Sequence, residues 1–242
     1  MTLYSDHIGA FVQGVTDPEE LRQFIQQKFS EAEIQYAYEK MLADTKTVAK
    51  AEKIPLLKAF WKVLDHAYST KAPPLTCQKG CSHCCYTGVA HTQLEWDGMI
   101  NAARDKGIDL NEIIEKSEKT VRKVAKTLES GIDPETVDWY HMVVNQRCPF
   151  LDEEEACMIH EDRPLDCRLM VAFREVCASK NLEHGQRGVL VEEAVAPTVI
   201  ARLQYESTPK IKRRKFTGTQ KLRIIQHWLL NWKNKKSGKK KR

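Results

Sequence analysis

Apolar residues recur at helical spacing along most of this chain. The run Asp17-Pro18-Glu19-Glu20 combines an N-cap, a first-turn proline and acids favoured by the helix dipole, and Leu21, Phe24, Ile25 and Phe29 follow it in helical register. From 31 to 50 the period continues, with Ile34, Ala37, Tyr38, Met41 and Leu42 on one face. Leu56, Leu57, Phe60, Trp61, Leu64 and Tyr68 predict a further helix, which Ala72-Pro73-Pro74 stops. Residues 86 to 91 read as a short extended piece. Thr92-Gln-Leu-Glu95 is a capping-box pattern that opens a helix to about Lys106, with Gly107 as its stop. Residues 111 to 130 read as one amphipathic helix, with Ile113, Ile114, Val121, Val124 and Leu128 inside and Gly131 at its end. Asp133-Pro134-Glu135 starts another, carrying Val137, Tyr140, His141 and Val144.

Farther on the pattern loosens. Cys148-Pro-Phe-Leu151 and Ala156-Cys-Met-Ile-His160 fit two short strands around the acidic turn 152–155, and Arg163-Pro164-Leu165 leads into a helix. Residues 186 to 204 carry no clear period. A last helix is expected over 218–234, with Leu222, Ile225, Leu229 and Trp232 in one stripe, and the chain from Lys233 onward is expected to be unstructured. The predicted fold class is mainly α: a helical domain with a small irregular or β-containing cysteine-rich knot built from residues 74–91 and 147–177. The expected division is a helical region over 1–72, a cysteine-cluster domain over 73–206, and a basic helix and tail over 207–242.

A chain of 242 residues is long enough to bury a proper core, so it does not need disulfides for stability. No apolar run approaches the ~20 residues that span a bilayer. The first residues lack a basic start followed by an apolar stretch, which predicts no secretory leader and a cytoplasmic location. Charge is divided unevenly. No Asp or Glu follows Glu206, whereas 14 of the 38 Lys and Arg do, leaving 24 basic against 33 acidic residues before it. An acidic body with a basic arm over 210–242 suggests contact with RNA, a ribosomal surface or an acidic protein. A solvated tail that aids solubility accounts for the same charges.

The cysteines change the picture most. Cys77, Cys81, Cys84 and Cys85 fall within nine residues, and Cys148, Cys157, Cys167 and Cys177 complete the eight in the chain. In a reducing compartment such crowding points to metal or redox chemistry, because thiolates bind soft and borderline metals and disulfides are disfavoured. Two or three residues between cysteines let two thiolates from one loop reach one ion, and a distant segment closes the set. The candidate ligands are Cys77, Cys81, Cys84, Cys85, Cys148, Cys157 and Cys167. Adjacent side chains diverge, so Cys84 and Cys85 need a tight turn to face one ion. The plainer alternative is a set of small buried apolar side chains with some surface thiols. His83 and His160 lie inside the motifs as imidazole ligands or as hydrogen-bond partners of the thiolates. Arg147, Arg163 and Arg168 surround the second motif and either balance thiolate charge or pair with Asp152, Glu153, Glu161 or Asp166.

The run Cys77-Gln-Lys-Gly-Cys81-Ser-His-Cys84-Cys85, followed by Cys148-Pro-Phe-Leu, Cys157-Met-Ile-His-Glu-Asp-Arg-Pro and Cys167-Arg, resembles the YkgJ-type cysteine-cluster (CxxCxxCC) family over roughly 74–168. Three residues separate Cys77 from Cys81, where the family's name implies two. The resemblance implies chelation of zinc or iron, an iron–sulfur oxidoreductase, or, through relatives of flagellin lysine methylase, lysine modification. The sequence has no recognisable S-adenosylmethionine pocket. Cys77, Cys81 and Cys84 also match radical-SAM spacing, but a chain continuing mainly as helix does not supply the barrel those enzymes need. An iron–sulfur cluster and zinc both suit this cysteine content. Nothing else reads as catalytic: Gly185-Gln-Arg-Gly188 is too short for a phosphate loop, and no Gly-x-Ser-x-Gly occurs.

Overall fold

A computed structural model describes residues 11–13, 23, 25–72, 80–134, 136–171, 186–188, 190–213 and 222–239. The expected helix start at Asp17 lies outside these residues, as do Cys77 and Cys177. The fold is mainly α-helical, as the hydrophobic period predicts, with two small two-stranded sheets among the described residues.

The chain divides into two units, each assembled from two separate stretches: Met1–Gln78 with Leu169–Thr219, and Lys79–Arg168 with Gln220–Arg242. The stretch 73–206 expected as one domain thus contributes to both.

In the first unit, α1 (Glu31–Glu52), α2 (Leu56–Lys71) and α8 (Val191–Ser207) pack on one another. A full capping box starts α1: the Glu33 amide donates to Ser30 Oγ at 3.3 Å, and the Ser30 amide donates back to Glu33 Oε2 at 2.8 Å. Met41, Phe60, Leu64, Val199 and Leu203 fill the space between the three helices and are almost wholly buried. Helix α8 occupies part of the stretch where the sequence shows no period. Pro197 interrupts it and removes one backbone donor, yet burial of Val195, Ala196, Val199 and Ile200 carries the helix through. Strands β1 (Phe11–Gln13) and β3 (Gln186–Gly188) pair antiparallel in the same unit.

The second unit holds six of the cysteines. Thr92 and Glu95 form the predicted capping box of α3 (Gln93–Asp105), and Gly107, at φ +70°, ends that segment in the left-handed conformation glycine tolerates. The single helix expected over 111–130 is two, α4 (Leu110–Lys116) and α5 (Glu118–Glu129). Ser117 divides them: its hydroxyl donates back to the Ile113 carbonyl at 2.9 Å, a local bond that competes with the helical ladder. The helix expected from Asp133 begins later, as α6 (Trp139–Val143). The predicted strand pair around 152–155 reduces to a bridge between Leu151 and Cys157.

At the other end of the chain, β4 (Arg223–Ile224) pairs with β2 (Ala90–His91), and α9 (Ile225–Lys239) follows. The backbone stays helical through Lys239, where the chain was expected to be unstructured from Lys233. Leu222, placed on the expected apolar stripe, is 54% exposed because it precedes the helix. Ile225, Trp228 and Leu229 join Trp96, Met99, Ile100, Phe150 and Ile159 in one core, and Cys148, Cys157 and Cys167 pack against it. No described helix is long and apolar enough to cross a membrane.

Candidate metal centre

Gly80, at φ +87°, turns the chain into the first cysteine motif. Cys84 and Cys85 lie on a short 3-10 turn, His83–Tyr86, closed by the Cys85 amide on the Ser82 carbonyl at 2.8 Å. This is the tight turn that neighbouring cysteines need. It brings their side chains together, and the Cys85 thiol donates to Cys84 sulfur. Cys81 stands three residues earlier with a free, partly exposed thiol.

The second motif is bonded directly to that turn. The Cys148 amide donates to the Cys85 carbonyl at 2.8 Å, and the Asn145 amide to the Tyr86 carbonyl at 2.7 Å. The acidic turn then folds back, with the Met158 amide on the Phe150 carbonyl at 2.9 Å and the Asp152 amide on the Ala156 carbonyl at 3.0 Å. Asp152 Oδ1 receives the amides of Glu154 and Ala156, which fixes the turn before Cys157. Cys167 lies on α7 (Leu165–Leu169). Two carboxylates hold the start of that helix: Glu95 Oε1 accepts the Leu165 amide at 2.8 Å, and Asp166 Oδ2 accepts the Ala90 amide at 2.9 Å.

Sequence reasoning missed both clips. Glu95 was visible as a capping residue, but its second oxygen has a partner 70 positions away. A further tie was missed at Glu155, whose carboxylate accepts from Tyr86 Oη at 3.1 Å and from Arg147 Nε at 3.1 Å. The same Arg147 donates to the carbonyls of Leu151 and Asp152. Its acidic partner is therefore Glu155, outside the four acids considered from sequence. Arg168 donates to the carbonyls of Arg163 and Glu161. His160 Nε2 meets Arg163 Nη1 at 2.7 Å, a partner for the imidazole that is not a metal.

Electrostatics shows how closely the thiols associate. The hydrogen bond from Cys85 brings Cys84 down to about 7, and the same bond pushes Cys85 far up. Burial pushes Cys148 up to about 12, and it also raises Cys157 and, more strongly, Cys167. Each of these last three is further opposed by the charge of Cys84, so thiols from both motifs share one electrostatic environment. A cleft of about 420 Å³ lined by Lys116, Arg147, Pro149, Glu153 and Glu155 reaches Cys148 from solvent.

Among the described residues, no three His, Cys, Asp or Glu side chains form a finished ligand set. The donor chemistry nevertheless fits a soft or borderline ion: the described cysteines Cys81, Cys84, Cys85, Cys148, Cys157 and Cys167 are all free thiols. Cys77, the remaining predicted ligand, lies outside the described residues.

No curated protein and no solved structure matches the chain. Residues 76–187 do match a family pattern, the CxxCxxCC family, described as a "putative zinc- or iron-chelating domain". The matched residues include both cysteine motifs, so this part of the chain is similar to the CxxCxxCC family.

Proposed function

We propose that Cys77, Cys81, Cys84, Cys85, Cys148, Cys157 and Cys167 supply the ligands of a thiolate metal centre, and that the centre is an iron–sulfur site working in electron transfer. The observation that carries this reading is the backbone bond from Cys148 to Cys85, which joins the two motifs at thiol-bearing residues. When bound, an iron–sulfur cluster supplies reversible one-electron chemistry. The chain's own residues do the rest. The 3-10 turn orients Cys84 and Cys85, and the acidic turn and α7 present Cys157 and Cys167. Packing of Phe150, Ile159 and their neighbours against the second motif limits water on that side. The cleft beside Cys148 leaves a route inward.

Anaerobic purification followed by iron, zinc and acid-labile sulfide analysis tests the proposal. Brown protein with sulfide and iron supports it. Colourless protein holding zinc alone replaces it with a structural staple.

The charge asymmetry favours a second role for the same chain. The 14 Lys and Arg after Glu206 face no acid in that segment, a composition suited to RNA or an acidic protein surface. In that reading the metal fixes the second unit and the arm over 210–242 makes the contact.

A further inference from the structure

The chain before Glu206 is acidic in sum, but α5 departs from that balance. Lys119, Arg122, Lys123 and Lys126 follow one another at helical spacing along it, and all four are exposed, while Thr120, Val121 and Val124 are buried. The stripe is about 10 Å long. Against these four cations α5 holds two acids, Glu118 and Glu129. Glu118 Oε1 is shared: Arg122 Nη2 lies 2.8 Å from it and Lys233 Nζ 3.9 Å. Lys233 belongs to α9, which packs on α5. Ile224, just before α9, joins Val124 in one small core, so the two helices run in opposite directions and the lysine-rich end of α9 lies beside the start of α5. The α9 backbone carries on through Lys235, Lys236 and Lys239, and no acid follows in the sequence. Lys123 also donates to the Met142 carbonyl at 3.2 Å, which holds its ammonium in place without cancelling its charge. A surface of one sign spread over two packed helices suits a long, evenly charged anion. A nucleic-acid strand repeats one phosphate per nucleotide, whereas an acidic peptide carries its carboxylates on separate flexible side chains. Helix α5 has no aromatic residue on which a base could stack, so its contact is with the backbone and carries no sequence information.

Resting on the RNA role named above, we propose that the exposed face of α5 and the lysine-rich end of α9 form one surface for the phosphate backbone of RNA, bound without regard to sequence. The test uses the full chain and a labelled single-stranded RNA of mixed sequence, with affinity read by fluorescence anisotropy over a range of salt. Wild type is compared with a variant carrying K119Q, R122Q, K123Q and K126Q together, and with a control that loses the same charge from exposed lysines of the first unit, K28Q, K40Q, K50Q and K62Q. A milder variant, K119Q with K126Q, leaves the bonds of Arg122 and Lys123 in place. The melting temperature of each protein is recorded, and a polyglutamate peptide is added as competitor.

We expect the four-site α5 variant to bind at low salt at least about tenfold more weakly than wild type, and its slope of log affinity against log salt to be shallower by up to about 3. The milder variant should show about half of that change in slope, so the comparison survives if the four-site variant melts early. The first-unit control should bind within about twofold of wild type, because its lysines lie off the surface. RNAs of different sequence should bind alike. An α5 variant that binds as tightly as wild type, or that loses no more than the control, overturns the proposal. Polyglutamate displacing RNA at equal charge concentration overturns it too and makes the partner an acidic protein. A wild type that does not bind RNA at low salt overturns the RNA role and this surface with it. A wild type that binds, loses binding when 234–242 is removed and is indifferent to the α5 substitutions keeps the arm and overturns the α5 face alone.

Discussion

The backbone amide of Cys148 donates to the carbonyl of Cys85 at 2.8 Å, so the two cysteine motifs are bonded to each other through their own main chain. A second backbone bond, from the Asn145 amide to the Tyr86 carbonyl, lies beside it. Neither bond involves a thiol, so the junction belongs to the polypeptide and does not depend on an ion to hold it.

Metal removal should therefore lower stability without erasing secondary structure. A ligand at a hundredfold excess over its Kd stabilises the folded state by about 2.7 kcal/mol, or about 5–10 °C in Tm for a chain of this size. Chelation under reducing conditions is expected to shift Tm by that amount and leave the far-ultraviolet circular dichroism helical. Replacing Cys148 with Ser should reduce the metal held per chain. An unchanged Tm and metal content in both experiments would count against the centre.

Glu95→Ala should loosen the second motif. The variant loses the capping bonds to Thr92 and leaves the buried Leu165 amide without its acceptor. Such a loss costs about 2–3 kcal/mol, measurable by urea unfolding of metal-free protein. Zinc affinity should fall as well, because α7, which carries Cys167, is less firmly seated. Wild-type stability in the variant would show that the clip is incidental.

His91 sets an acid limit. Its ring is wholly buried against Trp96 and Trp228, with centroids 6.0 and 6.1 Å away, and neither ring nitrogen has a hydrogen-bond partner among the described residues. Burial holds it down at about 3, below the ordinary 6.5. Between those values the unfolded chain binds the proton and the folded one does not, so stability is complete above the upper value and is lost as pH falls through the window. The slope is up to about 1.4 kcal/mol per pH unit. His91→Phe keeps an aromatic ring and removes the titration. Parallel unfolding curves at pH 4 to 7 should show a flatter acid limb in the variant; identical limbs would refute the account.

For the arm, the structure changes the deletion to use. Removing residues 210–242 would strip Ile225, Trp228 and Leu229 from the core, so removing 234–242 is the cleaner cut. That cut deletes six Lys and Arg. If the arm binds single-stranded RNA, the slope of log affinity against log salt should become shallower by up to about 4. No binding of the full chain at low salt would remove RNA from its partners.

Most helices were legible because their apolar residues recur at 3.6 spacing over several turns, as in 31–52 and 56–71, or because a capping box marks the start, as at Thr92. Ser117 was not legible as a break, since the apolar period runs through it and one hydroxyl bond decides the outcome. Helix α8 was hidden by Pro197, a residue that argues locally against the helix that tertiary burial stabilises. At the candidate centre the cysteines announced themselves by crowding. Glu95, Asp166 and Glu155 did not, because each acts through a partner distant in sequence and a carboxylate carries no mark of where its bonds will go.

The two units alternate along the chain, since each is built from two stretches separated by a stretch of the other. During synthesis the Cys81–Cys167 region emerges well before Trp228 and Leu229, which close the core behind it. Until those residues leave the ribosome, six reactive sulfurs wait on an unfinished scaffold, open to oxidation or premature capture of the wrong ion. Maturation of this protein is therefore exposed to its surroundings from the emergence of Cys81 until Leu229 leaves the ribosome.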